Sequence, residues 1–335
     1  MFKDSNLKYP CQSNYTHSSM CPYAKDSLAI TFMNKLICIP PWNKTLPFPP
    51  IGFFLRFLKY MKEACRTSVL SHRWKHLWSF FIGSLDFYDR DTIWDMLLEK
   101  IKLKSARKKY VKRVNRVLKS YRGSSIDEFR VCFELDKRFK RYIDGWMDFA
   151  FSKRVKRLEL DFTSCGFDMS YTFPHERFMC SGVSSLISLT LIRVHVKSKL
   201  LQHFITNCPL LERLLVDSSK DLVNLKVCSS SLKLNYLYIV DCSEFKSIEI
   251  FTPNLEYFGY VGPRIKLHIN YAPSLQNVRI GGMADLPVTY AFVPLSSYLY
   301  QLQSLTLNIV MFFDVRTLNS FAHMFIWFYV LFSHL

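Results

Sequence analysis

A short unit, small residue, proline, any residue, leucine, two further residues, apolar residue, returns along the second half of the chain. No other feature limits the possible folds as much. It reads Cys208-Pro209-Leu210-Leu211-Glu212-Arg213-Leu214, then Thr252-Pro253-Asn254-Leu255-Glu256-Tyr257-Phe258, then Ala272-Pro273-Ser274-Leu275-Gln276-Asn277-Val278. Ser231–Leu237 keeps the unit with Leu232 in the proline slot, and Ser184–Leu189 keeps it with a serine there. The leucines at 186, 211, 234, 255 and 275 are spaced by 25, 23, 21 and 20 residues, and Val155 and Leu302 extend the series more loosely. A unit this short cannot bury its own apolar face, so successive copies must stack into a solenoid with these leucines inside.

A second set of short apolar alternations falls between the first. Leu225 and Val227, Ile248 and Ile250, and Leu267 and Ile269 interleave with Leu214 and Val216, Leu237 and Ile239, Phe258 and Tyr260, and Val278 and Ile280. The spacing predicts strands starting at 214, 225, 237, 248, 258, 267 and 278, two per turn, with a parallel sheet on each long side of the coil. An earlier, longer turn carries Leu200, Leu201, Phe204 and Ile205 at helical spacing, which predicts an outer helix there. The expected fold class is α/β: a small helical module followed by a leucine-rich-repeat solenoid of parallel strands. The solenoid is expected over 151–335, changing from strand–helix to strand–strand units along its length.

The rest of the chain divides by composition. Residues 1–45 have no sustained period and read as a disordered or poorly packed leader. Prolines 40, 41, 47, 49 and 50 then precede a helical module at 46–90, where apolar residues from Phe54 to Trp78 recur at helical spacing. A module that small cannot bury two tryptophans alone, so part of its face is expected to meet another surface. Residues 91–150 read as a basic helical linker. Positions 100–122 hold eleven Lys or Arg and no acid, with Tyr110, Val114, Val117, Leu118 and Tyr121 on one stripe.

The net charge of +18 invites a nucleic-acid reading. However, the aromatics of that helix lie on its apolar seam and not among the cations, where base stacking needs them. A solvated basic face is the expectation, with an acidic partner as its use if it has one. Ten scattered cysteines, no two of them three residues apart, spell neither a zinc site nor a redox pair and read as small buried residues of a reducing compartment. No signal peptide is evident. The apolar run 321–332 is short of the roughly 20 residues a spanning helix needs, so no membrane is expected. His72 and His76 stand four apart, but Arg73 and Lys75 between them repel a metal. There is no Gly-rich phosphate loop and no nucleophile motif, so neither catalysis, nor a metal, nor a cofactor is expected.

The segment Glu63-Ala64-Cys65-Arg66-Thr67-Ser68-Val69-Leu70-Ser71-His72-Arg73-Trp74-Lys75-His76-Leu77-Trp78 resembles the second half of a plant F-box. Leu46-Pro47 is similar to that family's opening, although Phe48 and Pro49 stand where it has an acidic pair. Gly123–Phe129, Val155–Phe162, Phe251–Gly262 and Tyr271–Gly282 are similar to the link and the repeats of F-box proteins with leucine-rich repeats, of the FBD-related type. The likeness covers roughly 46–307, and the C-terminal region many members carry is missing. It implies the substrate-recognition subunit of an SCF-type cullin ubiquitin ligase, cytoplasmic or nuclear, with Leu46, Pro47, Leu58, Val69, Leu70, Trp74 and Trp78 binding or supporting a Skp-type adaptor. The alternative is a non-enzymatic basic interaction protein, or a nucleic-acid binder, whose F-box engages no ligase.

For the protein substrate, the non-core slots of the repeats are the candidates. Glu212, Asn235, Glu256 and Gln276 fill one slot and Arg213, Tyr236, Tyr257 and Asn277 the next. Strand alternation turns the second set away from the core. Tyr and Arg are favoured in binding hot spots, although the same side chains also serve simply to shield a sheet.

Overall fold

The computed structural model describes residues 83–89, 92–93, 102–163, 171–174, 183–282 and 293–308. Its frame is a nine-stranded parallel sheet: β1 (Ser84–Asp86), β2 (Glu128–Cys132), β3 (Arg157–Asp161), β5 (Ser188–Ile192), β7 (Arg213–Asp217), β9 (Tyr236–Val240), β11 (Tyr257–Val261), β13 (Asn277–Gly281) and β14 (Ser304–Asn308). A second parallel sheet is formed by β8 (Asn224–Cys228), β10 (Ser247–Phe251) and β12 (Lys266–Tyr271), with β10 central. A small third sheet pairs β4 (Tyr171–Thr172) with β6 (Val194–His195). From β7 to β13 every second strand joins the large sheet and the others join the smaller one, as two strands per turn require. Each strand begins one residue before its predicted start.

Helices cover the earlier turns. They are α1 (Leu103–Ser120), α2 (Lys140–Ser152) and α3 (Ser198–Asn207). On α3 the four residues at helical spacing, Leu200, Leu201, Phe204 and Ile205, are all buried. On α1 the buried stripe includes Tyr110, Val111 and Val114, and Tyr110 stacks on Phe133 with ring centroids 4.2 Å apart. Helix α2 inserts Ile143, Trp146, Met147, Ala150 and Phe151, and the Trp146 indole N–H donates to the Asn115 side chain of α1 at 2.7 Å. The sheet therefore starts at β1 and takes in β2, ahead of residue 151 where the sequence reading began the solenoid. The helix at 103–120 is part of that layer and not a free linker.

The repeated unit is a turn followed by a strand. In two of the proline-bearing copies and in the 183–186 copy the leucine N–H donates to the carbonyl three residues back: Leu211 to Cys208, Leu275 to Ala272, and Leu186 to Val183. This is the hydrogen bond of a β-turn, and proline at the second position fixes φ where such a turn needs it. Leu186, Leu211, Leu234, Leu255 and Leu275 are fully buried, as are Cys208, Thr252 and Ala272 in the small-residue slot. The 231–234 copy inverts the pattern: Leu232 is buried and Ser231 exposed. Filling a leucine slot contributes about 1.5–3 kcal/mol each, and stacking makes that gain depend on the next repeat. Strands β5, β7 and β9 end on the same device, since Arg193, Ser218 and Asp241 have φ of 55°, 56° and 47°. Each of these N–H groups still donates to the next strand, to Asp217, Val240 and Val261 respectively. Among the described residues Cys132, Cys208 and Cys242 are buried free thiols and Cys228 is exposed.

Candidate functional site

Side chains that alternate out of the core form rows across the open face of the large sheet. Arg213, Tyr236, Tyr257 and Asn277 are in direct register on β7, β9, β11 and β13, so the structure brings the four candidate positions together as one row. Glu212, Asn235, Glu256 and Gln276 form the adjoining row, linked by backbone hydrogen bonds from Asn235 to Glu212, Glu256 to Asn235 and Gln276 to Glu256.

Strand spacing explains what the first row does. Adjacent strands lie about 4.8 Å apart, close to the separation of stacked rings, so flat groups at one register position pile up. Tyr236 and Tyr257 stack with centroids 4.4 Å apart and planes 8° from parallel. The Arg213 guanidinium carbon lies 3.6 Å from the Tyr236 ring centroid, extending the stack by a cation–π contact. Tyr238, one row further along β9, meets both rings edge-on at 6.4 Å and 6.1 Å. Its register partner on β11 is Gly259. A Cβ there would lie 2.3 Å from the Tyr238 ring, so only glycine allows that tyrosine to lie across the strand. Burial pushes the Tyr257 phenol up to about 12; Tyr236 and Tyr238 add to this and Arg279 opposes it. The hydroxyl is therefore neutral and free to donate at physiological pH.

Charge is distributed unevenly over this face. On the early strands it is paired, with Arg130 2.9 Å from Glu159 and 3.9 Å from Asp86. Around the tyrosines it is not. Among the described residues neither Arg213 nor Arg279 has a carboxylate partner, and the Nε of Arg279 is buried without a hydrogen-bond acceptor. At the far ends of the strands stand Asp161, Asp217 and Asp241. Burial raises the Asp217 carboxyl; a hydrogen bond from Ser218 opposes this, Asp241 and Asp161 raise it further, and Arg193 lowers it. The tyrosine cluster thus has unpaired cations beside it and acids along one rim.

A second charged surface lies on α1. Lys104, Lys108, Lys109, Lys112, Arg116 and Lys119 have no carboxylate partner among the described residues, and all are exposed. Arg113 pairs with Asp89 at 2.6 Å. Arg107 does not belong to this surface. It is buried, with Nη2 2.8 Å from Glu134 and Nη1 2.9 Å from Asp136, and it was not distinguished in sequence because its partners lie 27 and 29 residues away. Among the described residues no group of His, Cys, Asp and Glu is placed to hold a metal, and no helix is long and apolar enough to cross a membrane. The adaptor candidates Leu46, Pro47, Leu58, Val69, Leu70, Trp74 and Trp78 lie outside the described residues, as do His72, His76 and the run 321–332.

The family model described as At1g61320/AtMIF1, LRR domain, matches residues 175–311, the span that carries the tyrosine row. F-box/LRR-repeat protein At3g59200 of Arabidopsis thaliana is 29% identical over 245 residues, covering 64% of this chain and 45% of that protein. F-box/LRR-repeat protein 25 of the same plant is 28% identical over 234 residues, covering 63% of this chain and 82% of its own length. The chain is related to the plant F-box/LRR-repeat proteins. F-box/FBD/LRR-repeat protein At4g00160 adds 24% identity over 259 residues, covering 69% of the chain and 54% of that relative. The chain thus spans less than half of the first of these relatives, and most of the second. No solved structure matches.

Proposed function

We propose that this protein is the substrate-recognition subunit of an SCF-type cullin ubiquitin ligase. It would bind a Skp-type adaptor through 46–80, hold a protein substrate on the open face of its large sheet, and perform no chemistry itself. The stacked row of Arg213, Tyr236 and Tyr257 is the observation that carries the substrate half of this reading. Rigid aromatics with an arginine beside them are the side chains that dominate interface energies, and here they have no packing duty toward the core. The adaptor half is supported by the F-box in the names of the relatives and by the Thr67–Trp78 segment.

Co-purification with a Skp-type adaptor tests the first half. Leu70→Ala with Trp74→Ala should abolish it, at a few kcal/mol for a hot-spot pair, and unchanged recovery would reject the assignment. For the second half, Tyr236→Ala with Tyr257→Ala should spare the adaptor and end capture of substrates found by proximity labelling. Equal labelling by the parent and this variant would reject the surface.

A further inference from the structure

We infer that the surface around Arg213, Tyr236, Tyr257 and Arg279 takes an extended acidic segment of a protein partner, with two Asp or Glu side chains roughly four to six residues apart. This rests on the docking surface proposed above and adds the chemistry of its occupant.

Three observations lead there. The first is the pair of uncompensated cations. Arg213 is held flat on Tyr236, so its N–H edge points along the ring plane with no carboxylate among the described residues to receive it. Arg279 has a buried Nε with no acceptor. Guanidinium donates five hydrogen bonds and accepts none, and a buried unmatched donor costs free energy that an incoming carboxylate recovers. The contrast with Arg130, which the same sheet face satisfies with Glu159 and Asp86, shows that this face supplies a partner where none is to come from outside.

The second observation is spacing. Arg213 and Arg279 stand on β7 and β13, three strands apart in the sheet order and two residues apart in register. Strand spacing and rise place their Cα atoms about 16 Å apart, the span of roughly five residues of extended chain. Tyr236 and Tyr257 fill the interval, a flat apolar floor for the residues between two acids.

The third is polarity across the face. Asp161, Asp217 and Asp241 line the strand ends, and the carboxyls of Asp217 and Asp241 are already raised by burial. A further anion is repelled from that rim and drawn to the arginine side, which fixes where the segment lies. A basic segment would leave both arginines unmatched and its own charges beside them.

Selection of a random-peptide display library on the full chain tests this. Enriched peptides should carry paired acids at that spacing around an apolar or aromatic residue. A synthetic one should bind at least about tenfold more tightly than its Gln counterpart. Arg213→Gln with Arg279→Gln should erase that preference while circular dichroism and adaptor recovery stay unchanged, and Arg213→Glu with Arg279→Glu should turn selection toward basic peptides. Neutral or basic winners, no enrichment at all, or an acidic preference that survives both variants would overturn the inference. If Tyr236→Ala with Tyr257→Ala ends peptide binding while the arginine variants change nothing, the docking surface stands and its acidic occupant falls. If the tyrosine variant also binds as before, the docking surface itself falls.

Discussion

Arg107 gives the most direct test of how the helical layer is tied to the sheet. Its guanidinium reaches Glu134 Oε1 at 2.8 Å, the Glu134 carbonyl at 2.8 Å and Asp136 Oδ2 at 2.9 Å, clamping the first turns of α1 to the chain between β2 and α2. Arg107→Met keeps most of the stem and removes all three. Breaking a buried pair costs about 3–5 kcal/mol, because a buried charge is left without compensation. Two features reduce that here. Asp136 keeps Arg138, whose Nη2 is 2.6 Å away, and the Glu134 side chain is 16% exposed. A loss of about 2–3 kcal/mol follows, which lowers a urea midpoint by roughly 1 M at a slope near 3 kcal/mol/M. Arg113→Met on the same helix is the control. Its pair with Asp89 is as short, but Arg113 is 47% exposed, so the cost should stay below about 1 kcal/mol. Urea unfolding followed by circular dichroism, with hydrogen exchange across 103–120, reads both. Equal effects of the two variants would refute the reasoning, as would a triple change, Arg107→Met with Glu134→Gln and Asp136→Asn, no more stable than Arg107→Met alone.

Three further expectations are simpler. Gly259→Ala should displace Tyr238 and weaken peptide binding with all three tyrosines still present, at a stability cost of about 1–3 kcal/mol; unchanged binding would mean that the edge-on packing is irrelevant. The Asp136 carboxyl is held below its usual value first by the Arg138 side chain, with the Arg138 N–H and Arg107 adding to the effect. Its contribution to stability is therefore complete above the unfolded value near 3.9 and fades as pH falls through the lower folded value, so Asp136→Asn should flatten the acid limb of a stability–pH curve, and an identical limb would count against it. Nucleic acid should bind α1 only weakly and with steep salt dependence, declining further when Lys108, Lys109 and Lys112 become Gln; a tight, sequence-selective complex at physiological salt would reverse that ranking.

Much of this fold was legible because a repeat states the same instruction several times. The leucines from 186 to 275 and the alternation of β7 to β13 could each be checked against a neighbour, and the strands follow them to within one residue. The early turns offered no such check. Strands β1, β2, β3 and β5 begin at 84, 128, 157 and 188, at irregular intervals, and β1 has only three residues. The stripe Ile143, Trp146, Met147, Ala150 of α2 was available at helical spacing but lay inside a stretch dominated by its charge. At the candidate site, row membership followed from strand alternation, whereas the arrangement of charge did not. That Arg130 is matched, Arg107 buried and Arg279 left with an orphan donor depends on partners from distant strands, which no local pattern encodes. Gly259 read as a weak strand residue, and only the ring lying across it supplies the reason.

The change from a helical to a strand outer layer also bears on how such a chain changes over generations. From β7 onward each turn contributes one strand to each parallel sheet, in unshifted register on the large one. A duplication of 252–271 would therefore carry its own turn, its own leucine and its own tyrosine, and both sheets would close over it without a change of register. The row of rings would lengthen by one. Recognition length in this half is thus a countable property of the gene, one rung per copied segment, whereas the helix-clad turns, each of a different length, offer no interchangeable unit to copy.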